Sequence, residues 1–136
     1  MSSLTPGLPG GFVESEVLSA ASVSLVNGEA KDVTSVSLPP GIWEVTGYVQ
    51  FNPGGSALVT YLQGWLSSVS NTQPSGTNKG GNNVTLNTVG SGLQGLPLSP
   101  KRFVLTTTTT VYMGALSLFT LDTQKAFGYM SARQVG

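Results

Sequence analysis

The chain has 136 residues, of which only 9% are charged and 39% hydrophobic, with six Lys and Arg balancing six Asp and Glu. One domain's length and enough apolar residues for a core argue for folding rather than disorder, while zero net charge removes the positive field that phosphate backbones and anionic headgroups require. His and Cys are both absent, which excludes disulfides, thiolate metal sites and the usual Ser-His and Cys-His nucleophile pairs.

Residues 1–12 (MSSLTPGLPGGF) are rich in Pro and Gly and read as an extended arm. Leu4, Leu8 and Phe12 give that arm something to dock, and they are the candidate anchor to a larger assembly; the domain division expected is an arm over 1–16 and a β domain over 17–136. No basic segment followed by an apolar run marks a secretion signal, and no stretch is apolar enough to span a bilayer, so assembly in a cytoplasm without membrane insertion is expected.

From Ser22 onward strands alternate with turn signals. Ser22–Val26, Asn27-Gly28 and Lys31–Leu38 together predict a hairpin, because Asn-Gly favours the left-handed backbone of a tight turn. After Pro39-Pro40-Gly41, Trp43, Val45, Val49 and Phe51 alternate with Glu44, Thr46, Tyr48 and Gln50, a period of two that predicts a strand with one buried face. Asn52-Pro53-Gly54-Gly55 breaks the chain before a strand over Ala57–Ser68, which is apolar on both faces: Ala57, Val59, Tyr61 and Trp65 on one, Leu58, Leu62 and Leu66 on the other. The second set would form an exposed stripe unless another subunit covered it. Leu58, Leu62 and Leu66, with Tyr112 and Tyr129, are the candidate interface between subunits.

Polar loops over 70–82 and 90–95 flank a short strand, Asn83–Val89, and the last third predicts strands at Arg102–Thr106, Val111–Phe119 and Ala126–Val135, with the Thr106–Thr110 run also favouring strand. About eight short strands without helical periodicity predict an all-β, two-sheet antiparallel sandwich of jelly-roll type. No catalytic constellation emerges. The acids Glu14, Glu16, Glu29, Asp32, Glu44 and Asp122 are scattered, the Gly-rich stretches lack the Lys-Ser/Thr of a phosphate loop, and Lys101-Arg102 is the one basic pair. No enzyme activity, cofactor, metal or nucleic-acid partner is expected.

Residues 33–51 (VTSVSLPPGIWEVTGYVQF) and 106–135 (TTTTTVYMGALSLFTLDTQKAFGYMSARQV) resemble a set of short proteins of tailed bacteriophages, built as trimeric jelly rolls like the tumour-necrosis-factor and complement-C1q heads. The resemblance lies in Trp43-Glu44-Val45-Thr46-Gly47 after a Pro-Gly turn, in Thr110-Val111-Tyr112, and in Ala126-Phe127-Gly128 followed by Ala132-Arg133. It implies a homotrimer on the virion exterior, most readily a tail-fibre tip that contacts a host cell-surface glycan and other virion proteins. A capsid decoration (cement) protein or short head fibre is the second reading, because only the short arm precedes the first strands.

Overall fold

A computed structural model describes residues 11–73, 82–89 and 94–136. Among these, nine strands form two antiparallel sheets. The first sheet (sheet A) has the order β1-β9-β4-β7, with β2 also beside β9, from β1 (Phe12–Val17), β2 (Val23–Ser24), β4 (Gly41–Pro53), β7 (Gln94–Leu105) and β9 (Gln124–Gln134). The second (sheet B) has the order β3-β8-β5-β6, from β3 (Lys31–Leu38), β5 (Leu58–Ser67), β6 (Asn82–Val89) and β8 (Thr109–Thr120). The chain changes sheet at every step from β2 onward except between β5 and β6. This is a jelly roll, with β1 and β2 together filling one strand position of eight.

The core lies between the sheets. Trp43, Val45, Val49 and Phe51 from β4 meet Leu62, Leu66, Val111 and Met113 from β5 and β8, all at most 1% exposed. The predicted alternation in β4 holds along its whole length. Gly128 in β9 takes φ of +154°, and a side chain there would strike the carbonyl of Tyr48, so the central β4–β9 ladder closes only around glycine.

Five expectations are corrected. Asn27-Gly28 does form a turn, with φ of +76° at Gly28, but it joins β2 of sheet A to β3 of sheet B, so it is an inter-sheet crossing and not a hairpin. The Asn27 side chain stabilises that crossing by accepting from the Phe119 amide at 2.8 Å. Thr106–Thr108 lie outside any strand, because the chain must leave β7 in one sheet to enter β8 in the other and the turn overrides β propensity. Strand β7 begins at Gln94, well before Arg102, so the expected loop over 90–95 ends sooner.

The arm boundary also moves: residues 12–16 belong to β1, which pairs with β9 from Phe12–Arg133 to Val17–Gly128. Leu4 and Leu8 lie outside the described residues, as do 74–81 and 90–93 of the polar loops.

The fifth correction concerns β5. The ladder to β8 passes from Val59–Phe119 to Tyr61–Leu118, leaving Thr60 as an extra residue, a β-bulge. One extra residue reverses the alternation after it. Leu62 and Leu66 therefore join Ala57 and Val59 in the core, while Tyr61 and Trp65 pass to the outer face of sheet B with Leu58.

Candidate binding surface

The proposed interface residues separate into three places. Leu62 and Leu66 are buried in the chain's own core at 1% and 0% exposure, so they are not available to another subunit. Leu58 and Tyr112 lie on the outer face of sheet B, and Tyr129 lies on the outer face of sheet A, on the opposite side of the molecule.

The outer face of sheet B keeps an apolar strip made of other residues. Leu58, Tyr61 and Leu116 are half-buried beside Leu118, which is 40% exposed. Farther along the same face, Trp65 is fully buried over Gly114, its cross-strand partner, where any side chain would collide with the indole. The chain after β5 turns back over this row: Ser70 Oγ and the Asn71 amide donate to the Asp32 carboxylate, and Gln73 donates to Gln63 at 2.6 Å. Among the described residues the Trp65 Nε1 is buried without a hydrogen-bond partner, a cost that indole packing must outweigh.

The outer face of sheet A is built differently. In β4 and β9, alternation turns Glu44, Thr46, Tyr48 and Gln50 outward opposite Arg133, Ser131, Tyr129 and Phe127. Edge strand β1 adds Glu14 and Glu16. Between these strands lies an open groove of about 320 Å³, lined by Glu16, Leu18, Tyr48, Gln50, Phe127 and Tyr129 among others. Tyr48 and Tyr129 are directly paired across the ladder.

The Tyr48 ring and hydroxyl occupy the space where a side chain on Gly95 of β7 would project. Glycine at that point lets the ring lie across β7, and Tyr48 stays 41% exposed. Tyr129 is fixed in the other direction, its hydroxyl donating to Glu14 Oε2 at 2.5 Å. That bond to a carboxylate holds the phenol above its ordinary value of 10.0. A second depression of about 250 Å³ adjoins on the same face, where Thr46 and Ser131 share a 3.1 Å hydrogen bond and Glu44 meets Arg133 at 3.6 Å.

Sequence patterning identifies Tyr48 and Gln50 as outward-facing, and Tyr129 as a candidate contact. It does not bring Tyr48, Tyr129, Phe127 and Glu16 together, because that depends on which strands pair and in what register. Gly95 has no sequence signal beyond an unexplained glycine.

Asp32 and Asp122 serve structural tasks. Asp122 accepts from the Ser56 and Thr123 amides at 3.1 and 2.8 Å, joining the β4–β5 and β8–β9 turns, and these bonds lower its carboxyl below the ordinary 3.8. Among the described residues no group of three or more acidic side chains is placed to hold a metal ion, and no helix is long and apolar enough to cross a membrane.

No protein-family model and no curated protein matches the sequence. Solved structures do match the fold. A chain of the infectious bursal disease virus Gx strain aligns over 92% of this chain with a TM-score of 0.58 and 10% identity. A Gt-strain chain of the same virus aligns over 96% at a TM-score of 0.43 and 11% identity, and one from T=1 particles derived from infectious bursal virus over 93% at 0.42 and 10% identity. The present chain spans about a third of each, 32%, 31% and 30% respectively. At such identities the likeness is one of fold.

Proposed function

We propose that this chain is a non-enzymatic structural protein of a bacteriophage particle, a homotrimeric jelly roll displayed on the exterior as a tail-fibre or receptor-binding tip. The observation that carries this reading is the jelly-roll topology, shared over nearly the whole chain with a chain of a virus structure at a TM-score of 0.58. The resemblance of residues 33–51 and 106–135 to short tailed-phage proteins supplies the type of particle.

The two outer faces suit such a module. The apolar strip of Leu58, Tyr61, Leu116 and Leu118 on sheet B is the surface assigned to the trimer contact, in place of Leu62 and Leu66. That leaves the sheet A groove open to a partner. A capsid decoration protein or short head fibre is the second reading, and it would need no groove.

Quantitative mass spectrometry of purified particles, separated into heads and tails, tests the proposal. A few trimers per particle in the tail fraction are expected. Absence from particles would overturn the virion assignment, and hundreds of copies in the head fraction would replace the tip by a decoration role.

A further inference from the structure

We propose that the groove on the outer face of sheet A binds an uncharged sugar unit of a glycan, stacked on Tyr48 and hydrogen-bonded by Gln50, Glu16 and the Tyr129 hydroxyl. This deepens the receptor-binding reading and rests on it for where the glycan is found; the recognition chemistry itself stands on the groove.

The Tyr48 ring lies over a residue with no side chain, Gly95, and remains 41% exposed. A sugar ring has one face of C–H groups and a rim of hydroxyls, and it packs that face on an aromatic ring while the rim seeks hydrogen bonds. The rim partners are present: Gln50 offers an acceptor and two donors, Glu16 accepts, and the Tyr129 oxygen can still accept while donating to Glu14. Phe127, only 8% exposed, and Leu18 close the apolar side of the groove. The volume of about 320 Å³ lies at the small end of ligand sites, which suits one or two sugar rings.

Charge selects among sugars. Glu16 lines the groove, Glu14 stands beside it on β1, and the residues lining the groove include neither Lys nor Arg. A sialylated or phosphorylated sugar would bring an anion to two carboxylates with no Lys or Arg among the lining residues to meet it. A Lys or Arg side chain is the competing occupant, since aromatic rings with a carboxylate also attract cations. The neutral, two-way hydrogen bonding of Gln50 matches a hydroxyl and leaves its amide donors unused by an ammonium group.

The test is a printed array of neutral, amino and sialylated glycans and of lysine- and arginine-rich peptides, probed with the purified full chain. The strongest neutral glycan is then titrated while backbone amide shifts are followed by NMR. Expected are binding to neutral glycans over sialylated ones, shifts centred on Tyr48, Gln50, Gly128 and Tyr129, and at least about tenfold weaker binding for Tyr48→Ala. Tyr48→Phe, which keeps the ring, retains binding within about threefold, and Glu16→Gln, which keeps a hydrogen-bonding group, does the same. No neutral-glycan binding anywhere on the array, binding indifferent to Tyr48→Ala, or peptide binding abolished by Glu16→Gln would each overturn the proposal. All of these measurements use purified protein, so their failure is distinct from failure to find the protein on particles.

Discussion

Trp43 enters the core at the start of β4, fully buried, with its indole Nε1 donating to the Pro39 carbonyl at 2.9 Å. Its burial and its hydrogen bond are both satisfied, so Trp43→Ala removes a large packed volume and leaves a cavity costing about 3–5 kcal/mol. Reversible denaturant unfolding measures this, and a loss under about 1 kcal/mol would contradict the packing. Asp122 makes a pH-dependent contribution of opposite visibility, on the surface. Its folded carboxyl is lowered by the Ser56 and Thr123 amides, so its stabilisation is present above the ordinary value of 3.8 and is lost as pH falls through the folded value. Asp122→Asn should flatten the acid limb of the stability profile, as followed by thermal melts between pH 5 and 2. Tyr129 acts at the alkaline end. With its pKa raised, its contribution is intact below 10.0 and lost as pH climbs through the folded value. Ultraviolet titration should find Tyr129 ionising late, and brought back toward 10.0 by Glu14→Gln, the removal of the first cause of the shift.

Strands β4 and β5 show what a pattern of residues reveals and what it conceals. In β4 the alternation runs unbroken from Trp43 to Phe51, so core and outer residues are legible from the sequence alone, and the outward Tyr48 and Gln50 with them. In β5 one extra residue at Thr60 inverts the alternation. A bulge is a property of two strands in register, and nothing in the sequence of β5 alone distinguishes it from a strand apolar on both faces. The Asn27-Gly28 turn teaches the same lesson: its backbone is local and readable, whereas the sheet that receives the next strand is set by long-range pairing. The groove escapes the sequence for this reason too, since it exists only once β1, β9, β4 and β7 are side by side. The bulge makes a clean prediction. Leu66→Ala should lower stability by about 2–5 kcal/mol because Leu66 is core. Leu118→Glu, on the outer face, should leave circular dichroism unchanged yet dissociate the proposed trimer. If Leu66→Ala instead dissociates a stable subunit, the faces are exchanged.

At the scale of the whole molecule, two sheets enclose one core and present two unlike outer surfaces, an apolar strip on sheet B and a tyrosine-lined groove on sheet A. A closed trimer would bury the strip and present three grooves, and three weak sites on one rigid body bind a repetitive glycan surface with avidity far above that of one. Light scattering should give three times the mass of the 14.0 kDa chain at micromolar concentration; a stable monomer would rule out the trimer. Display on the particle is read out by immunogold labelling of intact particles with antibody raised against the purified chain. Gold is expected at the tail tips, and particles that carry no label on tail or head would contradict display on the virion.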